Sequence, residues 1–148
     1  MKRNKMMTII AAVAAVVGMG HLAPARAAEL KGTVPFDFQA GAAHVKAGTY
    51  VIDTGQAGAT LTLRTLDGKR IAFVIANSAV SRKPQPAKMV FRLVGSSYYL
   101  GQVWSGGGNT SGSETPVTRA ERTQRKEVRM AGGIQLVEIP LGSAAGAE

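Results

Sequence analysis

The chain has 148 residues, a formal charge of +9, two histidines and no cysteine. That length accommodates one domain and leaves no room for two. Without cysteine there is no disulfide framework, no thiolate nucleophile, no Cys-ligated zinc and no lipid-modified cysteine.

The first expected element is a targeting segment. Lys2, Arg3 and Lys5 form a positive start, and residues 6–20 carry no charge. This apolar run is shorter than the roughly 20 residues a membrane-spanning helix needs. Ala25-Arg26-Ala27 then supplies a small-residue cleavage site, so residues 1–27 read as a signal peptide cut after Ala27, or alternatively after Ala25. The expected destination is the periplasm or the medium, by the general secretory route. Removing residues 1–27 takes away four basic residues and no acidic one, leaving 14 against 9 and a charge of +5. Four of the nine net positive charges thus belong to the leader, which removes most of the bulk-charge argument for nucleic-acid binding.

The mature chain reads as one β-rich domain over residues 28–141, followed by a disordered tail over 142–148. Val34, Phe36 and Phe38 alternate with Pro35 and Asp37, a strand that Pro35 places at an edge or at its start. Residues 41–44 turn, and 45–53 are extended with an interruption at Ala47-Gly48, putting Tyr50 and Ile52 on one face. After a turn at 56–59, Leu61 and Leu63 alternate with polar residues. Asp67-Gly68 signals a two-residue hairpin, and Ile71, Phe73 and Ile75 are expected to line one face of the next strand.

A loop over 77–87 precedes Met89, Phe91 and Leu93, which alternate with Val90, Arg92 and Val94. Phe36, Phe38, Phe73, Phe91 and Leu93 are the expected shared core. In the strand at 98–104, Tyr98, Leu100 and Trp104 fall on one side and Tyr99 and Val103 on the other, so both faces are expected to be covered. Residues 105–113 read as a flexible glycine-rich loop. Thr118 and Glu121 have capping-box spacing for a helix over 119–130, which ends before Gly132-Gly133. Residues 134–141 form a last strand. The expected fold is all-β with one helix: an antiparallel meander of about seven strands, barrel or sandwich, with the helix before the last strand.

Pro35-Phe36-Asp37-Phe38, Ala47-Gly48-Thr49-Tyr50, Val90-Phe91, Tyr99-Leu100, Gln102-Val103-Trp104 and Glu121-Arg122 occur in this order. In that pattern, which covers most of the mature chain, the sequence resembles a family of small exported bacterial proteins of unknown function. The resemblance implies export and a compact β-fold and supplies no site.

Few residues carry chemistry. His44, flanked by Asp37 and Asp53, is the one histidine beyond the leader; no nucleophile elbow accompanies it. The carboxylates Asp37, Asp53, Asp67, Glu114, Glu121, Glu127 and Glu138 are scattered, and Asp37 with Asp53 is the pair that neighbouring strands could unite. No run of ligand spacing points to a metal, and Gly106-Gly107-Gly108-Asn109 lacks the lysine and hydroxyl of a phosphate loop. No catalytic residue, cofactor or metal is therefore expected.

Two constellations have a binding reading beside a structural one, in which Trp104 is a core aromatic closing one end of the fold and the basic helix is a solvated face. Tyr98, Tyr99 and Trp104 stand at the end of a strand, where aromatic rings can hold a small ligand or a sugar. Arg119, Arg122, Arg125, Lys126 and Arg129 make the helix basic, with Glu121 spaced to pair with Arg125, and suit an anionic surface. The expectation is an exported, non-enzymatic β-domain that binds a small ligand, a glycan or a protein. The alternative is an envelope-associated structural protein using its basic helix. Neither involves nucleic acid, and membrane contact is at most peripheral, since the helix lacks a broad apolar face.

Overall fold

A computed structural model describes residues 29–129 and 133–144. The expected leader and its cleavage site lie outside the described residues. In chain order the elements begin with β1 (Glu29–Val34), β2 (Phe38–Ala40), β3 (Ala43–Val45), β4 (Gly48–Thr54), β5 (Thr60–Arg64) and β6 (Arg70–Ile75). They continue with β7 (Asn77–Val80), β8 (Lys88–Val94), β9 (Ser97–Trp104) and β10 (Ser111–Glu114). The helix α1 (Arg119–Val128) precedes β11 (Gln135–Pro140) and β12 (Gly142–Ser143).

The strands form two facing sheets, a sandwich-like arrangement that does not close into a barrel. The first sheet runs β12-β1-β4-β5-β6 and the second β11-β8-β9-β10-β7. β2 joins the second sheet beside β9, in the one parallel pairing described, and carries β3 with it. The sheets are linked at both edges by single residues. Ala76 carries β6 into β7, and its N–H donates to Ala59 O at 2.8 Å. Leu141 carries β11 into β12, and its N–H donates to Ala87 O at 2.9 Å. Strands that switch sheets at a bend are how a sandwich makes its corners.

One core fills the space between the sheets. Leu30, Ile52, Leu61, Leu63 and Val74 come from the first sheet, and Phe38, Met89, Phe91, Leu100 and Val103 from the second. Phe38 and Phe91 are fully buried as expected, with ring centroids 5.0 Å apart. Phe36 and Leu93 are half-buried. Phe73 and Ile75 correct the expected core: they are 55% and 73% exposed, and β6 instead turns Ala72 and Val74 inward. The register explains this. Leu61 and Leu63 face the core, and residues directly opposite across an antiparallel pair share a face. Opposite them stand Val74 and Ala72.

β9 also departs from simple alternation. Gln102 pairs with Val90 and Leu100 with Phe91, which leaves Gly101 as an extra residue between them. Such a bulge reverses the face of everything beyond it. Leu100 and Val103 therefore both reach the core, while Trp104 joins a separate cluster with Ala79 and Val90. Shorter revisions follow the hydrogen bonds. The expected strand at 34–38 breaks at residues 35–37 into β1 and β2, β7 and β10 occupy parts of the expected loops, and His44 lies in β3. Gly142 and Ser143, the first residues of the expected tail, pair with Lys31 and Leu30.

Candidate functional site

Helix α1 lies against the outer face of the second sheet, and its sequence divides into a docking side and a solvent side. Thr118 caps the N-terminus, its hydroxyl accepting the Glu121 N–H at 3.2 Å. The Glu121 side chain does not close a capping box. It is fully buried and meets two guanidinium groups. Arg92 on β8 donates Nε–H to Oε1 at 2.7 Å and Nη2–H to Oε2 at 2.9 Å. Arg125, one turn along, donates to Oε1 at 2.7 Å through Nη2 and 3.2 Å through Nε. Next on the same side, Gln124 accepts from the Tyr99 hydroxyl at 2.5 Å and donates to Ser97 Oγ at 3.1 Å. Burial, with the Glu121 charge nearby, pushes the Tyr99 phenol above its ordinary pKa.

The docking side is thus Glu121, Gln124, Arg125 and Val128. At 3.6 residues per turn, Arg119, Arg122, Lys126 and Arg129 fall within an arc of about 80° on another side. All four are exposed, and among the described residues none of them has a carboxylate within ion-pair distance. Glu127 is exposed, but the same spacing turns it about 80° away from the nearest of these four, Arg119. The basic residues are thereby sorted: Arg125 belongs to the buried network, and the other four form an unneutralised stripe.

Where the stripe ends there is a groove of about 380 Å3, lined by Val94, Val128 and Ile134 together with Arg125, Lys126, Arg129 and Gly133. Sequence reasoning did not connect these apolar residues with the basic helix, because they come from β8, α1 and the segment just before β11. Arg92 was also missed as a partner of Glu121. Its outward place between Phe91 and Leu93 was the available signal.

The aromatic constellation is dispersed. Tyr98 points toward the core and stacks on Phe36 with centroids 3.7 Å apart. Tyr99 points the other way, under α1, and borders a shallow depression with Arg119, Ala120, Thr123, Gln124 and Glu127. Trp104 is 6% exposed and donates its indole N–H to Gln102 Oε1 at 3.1 Å. Its ring lies over Gly112, its partner on β10, where an added Cβ would sit 2.6 Å from Cε3. Glycine is required there by the close approach of the ring.

His44 and the carboxylates are likewise distributed. Asp37 accepts the Ala47 N–H at 2.8 Å and a Lys46 ammonium hydrogen at 3.3 Å, with His44 Nε2 3.9 Å away. The Ala47 amide first, and then Lys46, hold its carboxyl below the usual range. Asp53 instead meets Arg64 at 2.7 Å, and Arg64 also holds Glu29 at 2.9 Å. Asp37 and Asp53 therefore have separate cationic partners. Glu138 pairs with Lys88 at 2.8 Å, and Asp67 accepts from the Thr65 hydroxyl in its turn, which lowers its pKa. Among the described residues no three His, Asp or Glu side chains gather as a metal site, and no helix is long and apolar enough to cross a membrane. In comparisons with known proteins, no family model, no curated protein and no solved structure matches this chain.

Proposed function

We propose that this protein is an exported, non-enzymatic β-domain of the bacterial envelope that contacts anionic surfaces through α1. The observation that carries the reading is the sorting of charge on the helix. The buried carboxylate Glu121 takes Arg92 and Arg125, and Arg119, Arg122, Lys126 and Arg129 remain on one exposed stripe. A helix that only needed solubility would gain more from interleaved charges of both signs. Aligned cations raise the local potential and draw anions to one side of the domain. The reading of Tyr98, Tyr99 and Trp104 as a ligand or glycan site has less support, because Tyr98 and Trp104 use their ring faces against Phe36 and Gly112.

Reversing three charges, Arg122→Glu, Lys126→Glu and Arg129→Glu, tests the reading. Retention on heparin and sedimentation with anionic vesicles at low salt are expected for the natural sequence and lost in the triple variant, with the melting temperature intact. Raising salt should weaken the natural interaction, since screening shortens the charges' reach to about 8 Å at physiological ionic strength. Binding that survives the reversal would refute the assignment. Arg125 is left out because it belongs to the folded network.

Export rests on the leader pattern. β1 begins at Glu29, so a cut after Ala27 leaves every described strand whole. The protein recovered from its host should have an intact mass beginning at Ala28, or at Arg26. A retained Met1 on a cytoplasmic species would overturn export.

A further inference from the structure

The basic stripe runs into the groove between α1 and the start of β11, and the two have different chemistry. Val94, Val128 and Ile134 give the groove an apolar wall, and Arg125, Lys126 and Arg129 give it a cationic rim. At about 380 Å3 it falls within the range of small-molecule sites, about 300–1,000 Å3. The apolar surface continues beyond it. Val137 and Ile139 pack on the core, so the alternation of β11 turns Leu136 outward, opposite Arg92 and on the helix side of the sheet. Ile134 is 44% exposed and Leu136 67%.

We propose that this groove seats an anionic phospholipid at a bilayer surface. Its hydrocarbon lies against Val128, Ile134 and Leu136, over the buried Val94, and its phosphate lies between Lys126 and Arg129. Arg125 contributes mainly its alkyl stem, because its guanidinium is already held by Glu121. The inference rests on the surface-contact reading above and names the surface as lipid. An acidic polysaccharide would satisfy the stripe but has no hydrocarbon for the groove, and it would leave Ile134 and Leu136 in water. A phospholipid answers both, and cations flanking exposed apolar residues are the arrangement that binds at a membrane interface. The contact is peripheral, since no continuous apolar face is present on α1 itself.

The test uses the mature full chain, vesicles of phosphatidylglycerol in phosphatidylcholine, vesicles of phosphatidylcholine alone, and heparin. The natural sequence should sediment with the anionic vesicles and not with the neutral ones. Neutralising a stripe lysine or arginine should lower vesicle partitioning roughly fivefold. The double variant Ile134→Ser, Leu136→Ser should lose about tenfold in vesicle partitioning while keeping its retention on heparin. Because both positions are exposed, the variant should fold. A Leu136→Trp variant reads insertion directly, since its fluorescence should be quenched by brominated acyl chains while that of the natural sequence, whose one tryptophan is the buried Trp104, is not. Unchanged vesicle binding by the double variant, or an unquenched Leu136→Trp, would overturn the lipid seat and leave a charge-only contact. Failure of the natural sequence to bind either heparin or anionic vesicles would overturn the surface-contact reading itself.

Discussion

Glu121 carries a charge into a site with no solvent contact, and the cost of that burial is offset only by the two guanidinium groups that meet it. Arg92 is itself only 11% exposed and also approaches Thr115, whose hydroxyl donates to Leu100 O. The network thus ties α1 to β8, β9 and the segment between β10 and α1. Removing the carboxylate leaves the Arg92 guanidinium buried without its anionic partner. Glu121→Ala should therefore destabilise the fold by about 3 kcal/mol in chemical denaturation. The double change Arg92→Met, Glu121→Leu should recover most of that loss, because an apolar pair of similar volume needs no desolvation of charge. A loss below about 1 kcal/mol for Glu121→Ala would mean that the carboxylate is hydrated in solution. The Thr118–Glu121 spacing located the helix start correctly, yet it gave Glu121 the wrong task. A capping box and a buried ion pair call for the same residue, and only the position of Arg92 on β8 separates them.

At the scale of elements, much of the fold was readable where a strand has one apolar face. β4 and β5 bury the residues their alternation marks, such as Ile52 and Leu63, whereas β8 buries Met89 and Phe91 as marked but also Val90 and Val94 on its other face, and leaves Leu93 half-buried. β6 shows why hydrophobicity alone misleads. A hairpin centred on Asp67-Gly68 places Leu63 opposite Ala72 and Leu61 opposite Val74, and these are the observed pairs. The inward-facing leucines of β5 therefore required alanine and valine inward on β6, against the larger Ile71, Phe73 and Ile75. Register was the stronger constraint, because one slip moves a whole strand to the other face. The turn itself is wider than two residues. Thr65 N–H donates to Lys69 O and Gly68 adopts φ +89°, so the register shifts by one only next to the turn, between Leu63 and Arg64. The bulge at Gly101 had no comparable signal beyond a glycine inside an apolar strand, and it decided where Trp104 points. The basic helix was legible as composition. Its division into a buried arginine and an exposed stripe depends on which side docks, and that depends on Arg92, Tyr99 and Val94 from other strands.

Across the whole molecule, the two sheets act as one body because the chain crosses between them at opposite edges, through Ala76 and Leu141. The crossing at Leu141 has a consequence for the C-terminal segment. Leu141 packs against the core, its side chain fills the space left by Gly32 on β1, and its N–H is bonded to Ala87 O. Beyond it, Gly142 and Ser143 extend the first sheet by pairing with Lys31 and Leu30. Relative to a chain ending at Ala144, one ending at Pro140 loses the β12 pairing, the Leu141 hydrogen bond and its apolar contact. A hydrogen bond contributes about 1 kcal/mol net, and a partly buried leucine a comparable amount from the area it removes from water. The shorter chain should therefore be about 2 kcal/mol less stable in urea, with a single transition, because the core between the sheets is shared and cannot melt in halves. A chain ending at Leu141 should fall between the two, since it keeps the corner and loses only β12. Equal midpoints for all three would mean that the last corner is not closed in solution. A second, separate transition in the chain ending at Pro140 would mean that the sheets depend on this link to fold as one.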